Sequence, residues 1–296
     1  MQIIKYSKIY LTIAALTTLV GLIAIFTFKL PLGIDFTGGT MVEIKTSQEK
    51  SSTQIRGEIS EFYKNNLTIQ NSGENQFIIK TSPLEESQFK ELEENLKNKL
   101  SADILRHQQI GGSIGSATTT NAIYAIILSA IFIVIYLSWA FRKVPRSVSP
   151  WAFGIIAFVA LIHDLSFSFG LFALIGKYSG FELDSSILVA ALTILGFSVH
   201  DTIVVFDRLR ENIIRFPQKS IEENTQSSLM ETLARSLNTS LTALLVLVSM
   251  IILGGESIKP FILFLAIGIA IGTYSSIFIA SPTLVLYQNY KERKKD

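Results

Sequence analysis

The 296-residue chain contains no cysteine. That excludes a disulfide framework, thiolate chemistry and any cysteine-ligated metal site. Charge is also scarce: 17% of residues are Asp, Glu, Lys or Arg, and the net charge of +2 is too small a surplus to recruit nucleic acid. The three histidines have no carboxylates at matching spacing and do not make a metal site, and no cofactor is expected. What fills the place of charge is apolar. Hydrophobic residues make up 49% of the chain, and the mean hydropathy is +0.42. Such a composition does not suit a soluble domain and describes a polytopic α-helical membrane protein.

Six apolar runs are long enough to span a bilayer, at residues 9–28, 122–141, 151–176, 187–206, 237–255 and 261–287. The first follows Lys5 and Lys8 without a small-residue cleavage site, so it reads as a retained span. Lys5, Lys8, Arg142, Lys143, Arg146, Arg208, Arg210, Arg215, Lys219, Lys291, Arg293, Lys294 and Lys295 fall at one set of span ends; the opposite short loops offer Lys177 and Lys259. The positive-inside rule then puts both termini in the cytoplasm of a multi-pass protein. The expected partition is the N-terminus and first span (1–29), an external α+β domain with linkers (30–121), five further spans (122–287) and a basic tail (288–296).

The external segment alternates in type: strand 40–46, helix 51–65, strands 67–71 and 75–82 joined by a Ser-Gly turn, helix 86–100 and strand 102–109. The order β-α-β-β-α-β predicts a ferredoxin-like domain. Its fold does not specify an activity.

Ionisable groups inside the spans carry the functional argument. A lone Asp at mid-membrane costs roughly 2.5–3.5 kcal/mol on insertion scales, so Asp201, within the fourth run, is the first functional candidate. Asp207 and Arg208 fall where that helix leaves the bilayer and are expected to be solvated. His163 and Asp164 are adjacent in the third span, so their side chains leave the helix about 100° apart and are not expected to share one narrow face. For both, a relay role and an interhelical hydrogen bond stand side by side. His200 reads as a packed neutral histidine, with a proton shuttle as the alternative.

Polar residues also mark the later spans. Thr232, Arg235, Thr239, Thr242 and Ser249 follow helical steps of three and four, which suits either packing through small hydroxyls or a hydrated path opposite Asp201. Counted along the helices, Asp201 lies about 8 Å inside its span and Arg235 about 3 Å outside the next, leaving an interfacial Arg235–Asp207 pair as the simplest contact. Gly268, Gly272, Ser276 and Ala280 recur every four residues and allow close approach of another helix. GIDFTGGT, residues 33–40, has the spacing of a phosphate loop, but Gly39 stands where the lysine is required, so an ATPase is excluded. A tight Gly-Gly turn into the first strand is the plain reading.

GIDFTGGT after the first span, HDLSFSFG in the third, FSVHDTIVVFDRLREN in the fourth and ARSLNTSLTALL entering the fifth resemble the SecF family, the small membrane subunit of the SecDF protein-translocation motor. The resemblance covers nearly the whole chain. It implies a non-enzymatic protein of the bacterial inner or plasma membrane, paired with SecD in a bundle similar to resistance-nodulation-division transporters. Implied partners are the SecYEG channel, YajC, membrane lipids and exported unfolded polypeptides, with the proton motive force driving export. It also implies a proton relay at Asp201 and Arg235, and a family motif at Gly33, Asp35, Phe36, Gly38 and Gly39. Two positions depart from the pattern: His200 stands where several relatives have Asn, and Gly112 where the resemblance leads one to expect Pro. From the residues alone, a proton-coupled exporter of lipids or small molecules, or a non-conducting scaffold, shares the same buried groups.

Overall fold

A computed structural model describes residues 2–60, 63, 67–144 and 148–294. Among the described residues, six helices, or helix combinations, are long and apolar enough to cross a membrane. They comprise α1 (Ser7–Phe28), α5 (Gly112–Ala140), α6 (Pro150–Ser179), α7 (Ser185–Arg215), α8 (Ile221–Leu253) and a final composite rod. The rod joins α9 (Lys259–Ser275), one π-helical stretch (Ser276–Ala280) and α10 (Ser281–Arg293). Pro282 accounts for the wider π-helical turn before it, since it offers no N–H and its ring crowds the carbonyl four residues back. The Ser281 hydroxyl donates to the Ser276 carbonyl (3.2 Å), satisfying an acceptor freed by the wider turn.

The helices outrun the apolar runs that announced them. α8 begins sixteen residues before Leu237, because Ser220 and Glu223 form a reciprocal capping box that starts a helix well before the apolar stretch. Arg235 therefore lies within α8, not beyond its end. The expected cations Arg146 and Lys295 fall outside the described residues.

Between α1 and α5 lie a one-turn helix α2 (Ile34–Thr37), strands β1 (Gly39–Thr46), β2 (Leu67–Gly73), β3 (Gln76–Thr81) and β4 (Ala102–Ile110), and helices α3 (Ser52–Ser60) and α4 (Glu86–Leu100). The sheet is antiparallel in the order β2-β3-β1-β4, the ferredoxin-like arrangement. Val42, Ile44, Phe77 and Ile79 alternate onto one face and pack with Ile55 and Ile59 of α3 and Leu92, Leu96 and Leu100 of α4. Two details differ from expectation. The hairpin turn is Glu74-Asn75, with Asn75 at φ 58°, because β2 continues through Ser72 and Gly73. The helix expected over 51–65 is described as far as Ser60, and most of 61–65 lies outside the described residues.

Within the bundle α6, α7 and the final rod are central, while α1, α5 and α8 are peripheral. Small residues set the closest crossings. A Cβ on Gly21 of α1 would stand 2.5 Å from the Ser166 carbonyl of α6, and one on Gly170 of α6 would stand 2.5 Å from Gly21 Cα. The spacing of Gly268 and Gly272 serves as expected: they meet Ile194 and Ser198 of α7, with a Gly272 Cβ falling 2.9 Å from Ser198 Cβ.

Candidate functional site

α7 is anchored at its start by two carboxylates on the orphan N–H groups of its first turn. Asp184 accepts from Ser186 N (3.0 Å) and Ile187 N (3.2 Å), and Asp35 Oδ2 accepts from Ser185 N (2.8 Å). From that anchor, sixteen residues at 1.5 Å each place Asp201 about 24 Å along the helix. Its side chain is 1% exposed. Ser240 Oγ of α8 lies 3.4 Å from Asp201 Oδ2 and 2.6 Å from Thr273 Oγ1 of α9. Ser236 Oγ of α8 is buried beside the same carboxyl. Hydroxyls both donate and accept, so this lining serves a carboxylate as well as a carboxylic acid. No salt bridge reaches Asp201 among the described residues.

A second buried carboxylate stands on α6. Asp164 is fully buried and accepts from Ser198 Oγ of α7 (2.6 Å) and Ser275 Oγ of α9 (2.7 Å) on Oδ2. Its Oδ1 is 2.9 Å from Nδ1 of His163. The expectation that these neighbours cannot share a face is therefore corrected. The 100° between successive residues separates their Cβ directions, but the terminal atoms of two side chains reach across it. His163 Nε2 lies 3.0 Å from Thr17 Oγ1 of α1. One cluster thus joins α1, α6, α7 and α9, while Thr202 of α7 and Ser276 of the π stretch add a neighbouring pair at 2.9 Å.

Other expected groups face elsewhere. His200 is exposed on the outer side of α7 instead of packed, because it precedes Asp201 by one residue and Asp201 points inward. The proposed Arg235–Asp207 pair is absent: Asp207 bonds Arg210 on its own helix (2.8 Å), and Arg235 is exposed. Of the α8 stripe, Thr232 is buried, whereas Arg235, Thr239, Thr242 and Ser249 face outward. The inward row is Ser228, Thr232, Ser236 and Ser240, a strict step of four beside the anticipated one. Arg208 is bonded to Glu211 (2.5 Å) and Glu231.

The GIDFTGGT segment is a joint. Gly33 N donates to Leu183 O (2.8 Å), Leu183 N to Pro31 O (2.6 Å), and Phe36 packs with Ala122, Phe172 and Ile187. Gly38 (φ 74°) passes so close to α5 that a Cβ would meet Gly112 Cα at 2.8 Å, and Gly39 would meet the Thr81 carbonyl at 2.7 Å. The short helix α2 precedes the expected Gly-Gly turn. The sheet also grips the loop between α6 and α7: Lys80 bonds Glu182 (2.7 Å), and Gln70 donates to Glu182 (3.3 Å) and to the Gly180 carbonyl. Among the described residues no group of three or more His, Asp or Glu could hold a metal ion.

The hydroxyls around both carboxylates escaped sequence reasoning. Ser198, three residues before Asp201, and the Thr273-Tyr274-Ser275-Ser276 run in an otherwise apolar helix were the available signal.

Six spans around two buried carboxylates, with a ferredoxin-like domain inserted after the first, define a multi-pass membrane protein of the transport class. The family model for "Protein export membrane protein SecD/SecF, C-terminal" matches residues 88–290, and that for "SecD/SecF GG Motif" matches 23–50. The chain is 36% identical to the protein translocase subunit SecF of Thermobaculum terrenum, over 97% of this chain and 94% of that one. It is 35% identical to that of Desulfurispirillum indicum, over 93% and 88%. The crystal structure of SecDF from Thermus thermophilus superposes with a TM-score of 0.85 at 29% identity, covering 98% of this chain and 39% of that longer one. SecDF in its super-membrane-facing form gives 0.70 at 29% identity, covering 100% and 40%. The chain belongs to the SecF family of protein translocase subunits.

Proposed function

We propose that this chain pairs with a SecD subunit and couples proton movement through its spans to export of unfolded polypeptide through SecYEG. The observation that carries this is Asp201: a carboxyl buried without a salt bridge, in a lining of Ser236, Ser240 and Thr273 that accommodates both protonation states. Asp201 takes and releases the proton. Arg235, outward-facing on α8, acts from the side where a partner bundle approaches, so a change in its distance from Asp201 changes proton affinity. A membrane potential contributes roughly 2.3 kcal/mol per charge per 100 mV, sufficient to bias a bundle with two arrangements.

The domain partition follows. Residues 30–121 form the external domain, both termini lie in the cytoplasm, and the membrane is the inner or plasma membrane. Movement of α7 reaches the external domain through Asp35 on Ser185 N and Lys80 on Glu182.

The test replaces Asp201 in vesicles holding the chain, SecD and SecYEG. Asp201→Asn keeps shape but cannot carry a proton, and is expected to abolish gradient-dependent export while leaving folding and SecD binding intact. Asp201→Glu is expected to retain part of it. A folded, partner-bound Asp201→Asn that still exports under a gradient would favour a scaffold.

A further inference from the structure

Outside the Asp201 site, a second fully buried ionisable group joins helices of the bundle. His163, 4% exposed, stands between Asp164 at Nδ1 and Thr17 at Nε2. Asp164 Oδ2 accepts from both Ser198 and Ser275, which leaves Oδ1 to face His163. With Asp164 a carboxylate, an acceptor only, Nδ1 is the donor to Oδ1 and Nε2 is the ring atom whose state is open.

Thr17 settles what Nε2 can do. Its Oγ1 is 3.0 Å from Nε2 and equally 3.0 Å from the carbonyls of Ile13 and Ala14. With its hydrogen on a carbonyl, Thr17 accepts from a protonated Nε2; with its hydrogen turned to the ring, it donates to a bare Nε2 lone pair. Both states of the ring are fully hydrogen-bonded, and the switch requires rotation of one hydroxyl hydrogen. A contact that serves packing alone needs one satisfied state, and a buried ring nitrogen left unsatisfied is destabilising.

We propose that His163 is a second proton-binding site within the spans, separate from Asp201, taking up and releasing its proton at Nε2 while Thr17 exchanges acceptor for donor. A cavity of about 270 Å³ between α1, α6 and α9 meets the ring edge, lined by Tyr10, Ile13, Thr17, Phe167, Ile271 and Tyr274. From Thr17 it follows α1 toward Tyr10, about 10 Å nearer the N-terminal end of that helix. Hydronium reaching the ring by that path is the proton donor in this scheme: N–H forms at Nε2 as one O–H of the hydronium breaks and leaves water, and release to water is the reverse. The other titratable groups facing His163 are Asp164 on α6, Tyr10 on α1 and Tyr274 on α9, whose ring centroid is 6.3 Å from that of His163. α7 presents the Ser198 hydroxyl. Through Asp164, the charge on His163 bears on Ser198 of α7, the helix that carries Asp201, and on Ser275 of α9, one of the helices that line it.

The experiment is nitrogen NMR of the full-length protein in lipid nanodiscs, with 15N-histidine labelling. The chain has three histidines, and loss of one signal pair in His163→Gln assigns His163. The expected result is a reversible change of His163 Nε2 between bare and protonated signatures across a pH series in which the protein stays folded, with Nδ1 protonated throughout. Thr17→Ser should preserve that change, and Thr17→Val should shift its midpoint. Asp201→Asn should leave it in place, which separates this site from the proposed export mechanism. A His163 held in one protonation state over the whole series, or a midpoint unmoved by Thr17→Val, would overturn the proposal.

Discussion

Gly170→Ala tests the closest helix crossing in the bundle. The added methyl would stand 2.5 Å from Gly21 Cα and 2.8 Å from its carbonyl carbon, both backbone atoms of α1. Carbon contacts ordinarily lie at about 3.5–4.0 Å, so α1 must retreat by about 1 Å, and no side chain can yield in its place. Overpacking of this kind costs about 1–3 kcal/mol. Thr17 is one turn from Gly21, so the same retreat stretches its 3.0 Å contact with His163 beyond hydrogen-bond range, a further loss of about 1 kcal/mol. Equilibrium unfolding of the purified protein should register both. Gly196→Ala is the control: nothing lies within 4 Å of its Cβ, and α7 gains helix propensity there. Because the chain has no cysteine, one engineered cysteine on α1 and one on α6 would report the same separation as a lower crosslinking yield. Stabilities of the two alanine variants within about 0.5 kcal/mol of each other would refute the close-packing argument.

Gly272→Leu drives a side chain at Ser198 of α7, and is expected to lower thermal stability in detergent well below that of Ile271→Leu; equal melting shifts would count against it. Gly38→Ala meets both φ 74° and the α5 backbone, and is expected to lower stability by about 2 kcal/mol or more, read by denaturant unfolding. A double-mutant cycle with Lys80→Ala and Glu182→Gln should give a coupling near 1 kcal/mol, since the side chains are 16% and 18% exposed; zero coupling would remove the grip between sheet and loop. Residues 40–109 expressed alone should show dispersed amide signals, and Phe77→Ala should lose them, because about 3–5 kcal/mol is most of what so small a domain has.

Element type was legible wherever periodicity was strong. Val42 and Ile44 with Phe77 and Ile79 alternate along their strands, and the apolar runs announce the spans without ambiguity. Span limits were less so, because α8 is held before its apolar run by a capping box and tertiary contacts instead of hydropathy. Depth of Asp201 was readable from its cost in a membrane, but its surroundings were not. Ser240 and Thr273 come from helices 39 and 72 residues away in sequence, and hydroxyls on apolar helices look alike until packing selects a face. The error at Arg235 has the same origin: rows 232-235-239 and 232-236-240 both fit helical steps, and one residue of difference turned the stripe outward. For His163 and Asp164, Cβ directions were counted where terminal atoms decide.

Proton movement can be read directly in sealed vesicles containing this chain with SecD and an internal pH-sensitive dye, after imposing a membrane potential. With the protein correctly folded and paired, a potential-driven pH change is expected from the wild type and none above protein-free leakage from Asp201→Asn. A pH change of wild-type size from Asp201→Asn would contradict the assignment of Asp201 as the proton carrier.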